Sequence, residues 1–200
     1  LSAHRDRWSG TILFVAQPAE ELLTGAPAML KDGLYSRFPK PDYALAFHSA
    51  AGVRAGTISF SDQIQYASAD GVDIIIPGVG THGASPESGK DPIVIGAAIV
   101  QALQTITSRE LSPFTPAVVT VGTFHAGTAR NIIPDEAKLE LTLRANSEGI
   151  RALLKQSVTR IAENVGRAHG LPEDRLPKVI VRSGTPVVLN DRALAERLRP

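Results

Sequence analysis

The sequence predicts an α/β fold with two structural parts, and two patterns carry that prediction. Two short apolar runs, residues 11–16 and 43–47, flank a helical pattern over residues 21–30, which indicates a strand–helix–strand unit of a parallel sheet. Across residues 63–183 the order changes to strand, helix, strand, strand, helix, strand. That order is typical of a ferredoxin-like α+β sandwich, so we predict a ferredoxin-like domain inserted into a parallel α/β domain.

The two apolar runs are continuous and lack the alternation of a half-exposed strand. Thr11–Ala16 is bounded by Gly10 and Pro18, and a proline ends a strand because it has no N–H to donate to a neighbour. Tyr43–Phe47 has the same apolar character after a proline-containing loop. We therefore predict two strands that are buried on both faces of a sheet.

The second part contains clear helix signals. Asp91 and Pro92 are predicted as the N-cap and first residue of one helix, and Ser147 as the N-cap of another. Apolar residues recur at helical spacing in both helices: Ile95, Ile99, Leu103 and Ile106 in one, and Ile150, Leu153, Leu154, Val158, Ile161 and Val165 in the other. The remaining predicted elements are an extended stretch over 63–77, a glycine-rich loop over 78–89, and strands at 117–124, 137–145 and 178–182.

These patterns divide the chain into three segments. Residues 1–62 are predicted as part of the first domain, 63–183 as the inserted domain, and 184–200 as the start of a return to the first domain. The sequence begins at Leu1, its single methionine is Met29, and a helical pattern is still running near its last residue. We therefore expect the protein to include further sequence on both sides.

The charge balance argues against nucleic acid as a partner. Lysine and arginine number 21 against 20 aspartates and glutamates, so no excess positive charge favours nucleic acid or an acidic membrane surface. No apolar run approaches the roughly 18 residues of a membrane span. Cysteine is absent, which excludes disulfides and thiolate metal ligands in this chain. We expect a small-molecule or peptide-like substrate and, as a working hypothesis, a cytoplasmic location.

Two adjacent carboxylates follow the first predicted strand. Glu20 and Glu21 lie at its carboxyl end, where open α/β sheets bind their ligands. His48 follows the next strand, so all three side chains are predicted at one edge of the sheet. One glutamate can bind a cation together with His48 while the other takes a proton from water. The alternative is a solvated helix N-terminus, where acidic residues complement the helix dipole.

Three polar residues of the second part are further candidates for chemistry. His82 lies in the glycine-rich loop and is a candidate for polarising a carbonyl or stabilising an oxyanion; the alternative is an exposed loop histidine. The loop does not match a phosphate-binding loop, because its glycines are one residue too far apart and Asp91 stands where Ser or Thr is required. Asn131 and Arg144 are candidate substrate ligands, since arginine can bind a carboxylate through two hydrogen bonds. The other histidines are predicted to be structural or solvated, with His125 the strongest exception: His4, His125 and His169.

Several motifs occur in order along nearly the whole chain: Trp8–Glu21, Ala46–Ser49, Gly80–Pro86 with Gly89–Ile93, and Gly127–Asp135 leading to Leu143 and Arg144. Together they resemble the metal-dependent aminoacylase and carboxypeptidase superfamily. The resemblance is strongest to its amidohydrolase branch of hippurate hydrolases, N-acyl-amino-acid amidohydrolases and auxin-conjugate hydrolases. An ordered set of motifs is far more specific than any one of them.

The resemblance implies a parallel α/β, metallopeptidase-like catalytic domain that carries a ferredoxin-like lid and dimerisation domain. It implies two divalent metal ions, zinc or manganese, with Glu20 as general base and Glu21 and His48 as metal ligands. His82, Asn131 and Arg144 would come from the lid, and His82 would reach the active site of the partner subunit in a homodimer. The implied reaction is hydrolysis of the amide bond of N-acyl amino acids or similar conjugates.

The sequence also departs from the family pattern. The family's His-x-Cys-Gly-His-Asp segment and a further ligand histidine near its C-terminus are not in this chain. Glu87 and Ser88 stand in a loop where many relatives carry other residues. We therefore predict that the site is incomplete in this chain, which by itself would be inactive and bind metal weakly or not at all.

Two alternatives remain open from the sequence. The chain could act as a non-catalytic dimerisation or binding module built on its ferredoxin-like part. It could also be a different metallohydrolase whose complete site is built from its own histidines, although only one or two of them are predicted close to Glu21. An exposed apolar helix face or sheet edge in residues 63–183 would favour the first alternative.

Overall fold

The computed structural model describes residues 2–182 and 184–199, and it divides the chain into two compact units, Leu1–Ile58 and Ser59–Pro200. The predicted limits of the domains at Leu1, Ser183 and Pro200 lie outside the described residues. Residues 184–199 belong to the second compact unit. Their assignment to a returning first domain stays a prediction.

The first unit consists of short helices and irregular segments. Its regular elements are a 3-10 helix at Ser2–Arg7 and the helices α1 (Gly25–Lys31) and α2 (Leu34–Arg37). The helix predicted over residues 21–30 therefore begins later, at Gly25.

The two strands predicted in the first unit are not formed, and that prediction was wrong. Residues 11–16 and 43–47 lie outside regular secondary structure, and their aromatic side chains are solvent-exposed, with Phe14 at 87% and Phe47 at 80% exposure. A buried parallel strand requires a hydrogen-bonded neighbour and a layer on each face. Among the described residues, neither segment has a strand beside it. An apolar run by itself is therefore not enough to make a strand.

The second unit contains every strand of the described residues. They are β1 (Ile64–Tyr66), β2 (Asp70–Pro77), β3 (Thr81–His82), β4 (Ala117–Ala126), β5 (Ile132–Ile133), β6 (Glu136–Ala145), β7 (Lys178–Val181) and β8 (Val188–Leu189). The helices are α3 (Pro92–Thr105), α4 (Glu148–Ala168) and α5 (Arg192–Arg197). Four strands form an antiparallel sheet in the order β4-β6-β2-β7. With α3 and α4 as the two crossovers, this is the ferredoxin-like arrangement that the sequence predicted.

The core of the second unit lies between this sheet and the two long helices. The inward apolar side chains of β6 alternate with polar ones, as expected for a sheet with one buried face. The predicted stripe is buried, with Ile95, Ile99 and Leu103 on α3 and Ile106 directly after its end. On α4 the buried apolar residues are Leu154, Val158, Ile161 and Ala162. The helical spacing of apolar residues was thus a reliable guide to the core.

Both long helices begin where their capping residues were predicted. The Asp91 carboxylate accepts hydrogen bonds from the N–H groups of Ile93 (2.8 Å) and Val94 (3.4 Å), and the Ser147 hydroxyl accepts one from Ile150 (3.3 Å). Such caps satisfy backbone N–H groups that have no partner inside the helix.

Two small ladders complete the second unit. β1 pairs with β8, and β3 pairs with β5 with His82 opposite Ile132. The second ladder extends from the end of the sheet at which β2 stops and β6 begins. It fixes where the His82 loop lies relative to the main sheet.

Among the helices of the described residues, none has the length and apolar character needed to cross a membrane.

Candidate metal and catalytic site

The first unit brings Glu20, Glu21 and His48 together. One ligand atom of each lies within 4.8 Å of the other two, and all three residues are exposed. His48 Nε2 is 3.8 Å from Glu20 Oε2. Two carboxylates and an imidazole form a donor set suited to zinc or manganese. The convergence of these side chains occurs although neither predicted strand is formed.

A tight turn presents the two glutamates. Ala19 and Leu23 both have positive φ, 48° and 58°, which is uncommon for residues other than glycine and is often found at functional sites. The N–H of Leu23 donates to the Glu20 carbonyl at 2.8 Å and closes the turn. Gly25 packs against the Pro18 carbonyl so closely that a Cβ atom there would overlap the oxygen. Gly25 is the only buried residue of α1, so the helix can pack against the turn because this residue has no side chain.

A hydrogen bond to the neighbouring backbone orients the ring of His48. Nδ1 lies 2.7 Å from the carbonyl oxygen of Ser49, and because a carbonyl only accepts, Nδ1 carries the proton. In the neutral ring, Nε2 then holds the lone pair that a metal ion requires. The hydrogen bond to Ser49 and the charges of Glu20 and Glu21 raise the pKa of His48 above its usual value of 6.5.

His82 lies in the second unit with a defined tautomer. The N–H of Ala84 donates to His82 Nδ1 at 3.1 Å, so Nδ1 is an acceptor and the neutral ring carries its proton on Nε2. The residue is exposed. An Nε2–H group held in this way can donate a hydrogen bond to a carbonyl oxygen or an oxyanion.

Asn131 lies beside His82, whereas Arg144 lies far from both. The N–H of Gly83 donates to the Asn131 carbonyl at 2.8 Å. Arg144 is near the opposite end of β6, seven residues beyond Ala137, which corresponds to about 23 Å along the strand. Its guanidinium donates to Thr142 Oγ1 at 3.0 Å. The structure therefore places one pair of candidates at one end of the sheet and the third at the other.

One residue near His82 was overlooked in the sequence analysis. The side chain of Asp135 accepts a hydrogen bond from the N–H of Gly80, and its main-chain carbonyl accepts another from the N–H of Gly78. An open cavity of about 560 Å³ lies beside it, lined by Gly80, Thr81, Gly127, Thr128, Ile132 and Asp135, among others. The motif Gly127–Asp135 contained the signal, because it ends on a carboxylate directly after a proline.

The chain is similar to known proteins over nearly its whole length. Residues 67–170 match the family described as the peptidase dimerisation domain. The hippurate hydrolase of Campylobacter jejuni is 35% identical over 184 residues, which cover 92% of this chain and 47% of that protein. The N-acetyl-L-cysteine deacetylase of Bacillus subtilis is 32% identical over 199 residues, which cover 100% of this chain and 46% of that protein.

A solved structure agrees with these matches. A protein proposed to be an aminohydrolase, from methicillin-resistant Staphylococcus aureus, superposes with a TM-score of 0.75 at 26% identity, and the match covers 86% of this chain and 43% of that one. The chain spans about half the length of the curated relatives it matches. The α/β class with a ferredoxin-like dimerisation domain is confirmed. The chain belongs to the peptidase dimerisation domain family, within the metal-dependent aminoacylase and carboxypeptidase superfamily.

Proposed function

We propose that the protein containing this chain is a metal-dependent amidohydrolase that cleaves the amide bond of N-acyl amino acids or similar conjugates. The observation that carries the proposal is the convergence of Glu20, Glu21 and His48, whose ligand atoms lie within 4.8 Å of one another. The names of the similar proteins, hippurate hydrolase and N-acetyl-L-cysteine deacetylase, point to the same class of substrate. A cytoplasmic location is part of the proposal.

Glu21 and His48 would hold a metal ion, zinc or manganese, and the whole enzyme would hold two. The fit is chemical, because an imidazole nitrogen and carboxylate oxygens are the donors that these ions accept, at about 2.0–2.2 Å. When bound, the ions polarise the substrate carbonyl and make water more acidic. Two ligands, Glu21 and His48, are few for two ions, so we expect the chain by itself to bind metal weakly or not at all. Calorimetric titration with zinc or manganese would measure this.

Glu20 is the proposed general base. It takes a proton from the water that attacks the amide carbon, and it delivers that proton to the nitrogen as the carbon–nitrogen bond breaks. The products are a carboxylic acid and an amine. His82 donates from Nε2 to the oxygen that becomes negative during the attack, and Arg144 binds the carboxylate of the amino acid.

The distance between Arg144 and His82 supports a site shared between two subunits. Ala137 lies at the end of the sheet from which the His82 ladder extends. The distance along β6 from Ala137 to Arg144, about 23 Å, exceeds the length of an N-acyl amino acid. One copy therefore cannot offer both side chains to one substrate through the second unit alone. We propose that His82, with its neighbour Asn131, acts at the active site of the partner subunit in a homodimer, apart from the Arg144 of its own chain.

The second unit has a surface that suits such a homodimer. β4 is an edge strand of the four-stranded sheet, and an edge strand offers backbone groups to a neighbour. Val94 at the start of α3 is 53% exposed and Phe124 on β4 is 38% exposed. The same surface favours the alternative function, a non-catalytic dimerisation or binding module.

Hydrolysis by the full-length protein separates the two functions. After incubation with zinc or manganese, it is expected to hydrolyse hippurate or one of a panel of N-acetyl amino acids. Glu20→Gln is expected to lower kcat/KM by about 100-fold or more, because the amide cannot transfer a proton. Glu87→Gln is the control, an exposed glutamate of the second unit. A dimer without hydrolysis of any substrate would favour the binding module.

A further inference from the structure

The backbone that leads into β3 departs from regular strand pairing. β3 and β5 pair with Thr81 opposite Ile133, and continuing that register would place Val79 opposite Asp135. Instead, the N–H of Val79 donates to the carbonyl of Lys90 at 2.9 Å. The ladder is therefore interrupted immediately before the strand that carries the candidate histidine.

Asp135 bonds to both residues that flank this interruption. Its carbonyl accepts the N–H of Gly78 at 2.7 Å, and its Oδ1 accepts the N–H of Gly80 at 2.8 Å. Two amides of one segment thus bond to a single residue opposite, which has the character of a β-bulge. The approach is close, since a Cβ atom on Gly80 would lie 2.9 Å from Asp135 Oδ1.

The imidazole of His82 is held by the loop that directly follows this segment. The carbonyl of His82 accepts the N–H of Ser85 at 2.9 Å, and its Nδ1 accepts the N–H of Ala84 at 3.1 Å. The ring is therefore bonded within its own loop, and that loop follows directly on the backbone that contains Gly80. That backbone is bonded to Asp135 two residues before His82.

We propose that Asp135 is a positioning residue for His82. Its carboxylate supplies an acceptor to Gly80 at the point where the strand ladder is interrupted, and it thereby fixes the direction of the Nε2–H group. Bulges commonly redirect a side chain in this way next to active sites. The inference rests on the catalytic role proposed above for His82, but the structural effect of Asp135 is measurable without any activity.

The test compares Asp135→Ala with Asp135→Asn in the 200-residue chain. The alanine variant removes the acceptor, whereas the asparagine variant keeps an oxygen that can accept from Gly80. In Asp135→Ala, we expect hydrogen exchange of the Gly80 amide to become about tenfold faster or more. We also expect the ¹⁵N signals of His82 to move toward the average of its two tautomers. Asp135→Asn and the control Glu136→Ala are expected to resemble the wild type.

Unchanged exchange at Gly80 and unchanged His82 signals in Asp135→Ala would overturn the proposal, and so would an equal effect in Asp135→Asn. If circular dichroism shows that Asp135→Ala does not fold, Asp135→Glu replaces it, because it keeps the charge but moves the carboxylate by one methylene group. In the full-length enzyme, Asp135→Ala is expected to lower kcat about tenfold with KM within about twofold. Absence of hydrolysis in the wild type would count against the proposed function alone, since exchange and ¹⁵N signals decide the role of Asp135.

Discussion

At the scale of single residues, the candidate metal site depends on a contact that tolerates no side chain. Gly25 lies against the Pro18 carbonyl at the start of α1, and the turn between them presents Glu20 and Glu21. The positive φ angles of Ala19 and Leu23 each cost about 1–3 kcal/mol and persist only where the surroundings hold them. The glycine is part of those surroundings, because it lets the helix approach the turn.

We predict that Gly25→Ala disrupts the metal site. The added methyl group would overlap the Pro18 oxygen, so the turn or the helix must move and separate the glutamates from His48. In the full-length protein, metal content after dialysis is expected to fall about tenfold. Gly52→Ala is the matched control, since a Cβ atom there meets nothing within 4 Å. Equal metal content in the two variants would contradict this role of Gly25.

Side-chain identity was easier to predict at this scale than geometry. Glu20, Glu21 and His48 were singled out from the sequence and do converge. Asp135 was overlooked because its importance comes from an interrupted ladder between segments 55 residues apart. The carboxylate after Pro134 was visible in the sequence, but its hydrogen bond to the distant Gly80 was not.

At the scale of elements, the helices of the second unit followed from local signals and the strands of the first unit did not. The helix α3 needs a cap, Asp91, and a regular stripe, both visible in the sequence. The segments 11–16 and 43–47 would need neighbours, and an apolar run does not reveal whether those neighbours exist. The five-residue π-helix at Ile106–Glu110 was also missed. Glu110 there binds the Ser157 hydroxyl of α4 at 2.8 Å, a tertiary contact without a sequence pattern.

The stripe of α3 gives a prediction about stability. Ile99 is fully buried between the helix and the sheet, so Ile99→Ala removes apolar contacts and leaves a cavity. We expect the free energy of unfolding of the second unit to fall by about 3 kcal/mol. The exposed Gln101 of the same helix provides the control, because Gln101→Ala is expected to change the free energy of unfolding by less than about 0.5 kcal/mol. Urea unfolding measures both, and equal losses would contradict the assigned core.

At the scale of the whole molecule, the buried Asp70 connects three parts of the second unit. Its carboxylate accepts two hydrogen bonds from Arg151 of α4, at 2.7 and 2.8 Å, and lies 2.9 Å from Lys155 Nζ. Gly184, in the segment after β7, passes so close that a Cβ atom would lie 2.5 Å from Asp70 Oδ1. The neighbouring Glu148 accepts the N–H of Val187 at 3.0 Å. The two carboxylates thus link the sheet, a helix and the segment that precedes β8.

This arrangement predicts a dependence of stability on pH. Burial by itself raises the pKa of Asp70, but the hydrogen bonds and charges of Arg151 and Lys155 outweigh it, so the pKa lies below the usual 3.8. The stabilisation is therefore complete above about pH 4 and is lost as the pH falls through the lower pKa of the folded state. At pH 7, Asp70→Asn is expected to be about 3 kcal/mol less stable.

The difference in the free energy of unfolding between the wild type and Asp70→Asn is expected to become smaller as the pH falls from 4 to 2. Urea unfolding at several pH values measures it, with Asp174→Asn as an exposed control. A difference that stays constant across this range would show that the charge of Asp70 is not what stabilises the fold.

The most direct test of the proposed function is complementation between two inactive variants of the full-length enzyme. Glu20→Gln lacks the base and His82→Ala lacks the donor, so each alone should be nearly inactive. In a mixed dimer, a site shared between subunits combines the intact Glu20 of one copy with the intact His82 of the other. Subunit exchange in an equal mixture is therefore expected to restore roughly a quarter of the wild-type rate on an N-acyl amino acid. No recovery, with an active wild type and proven subunit exchange, would contradict a shared site.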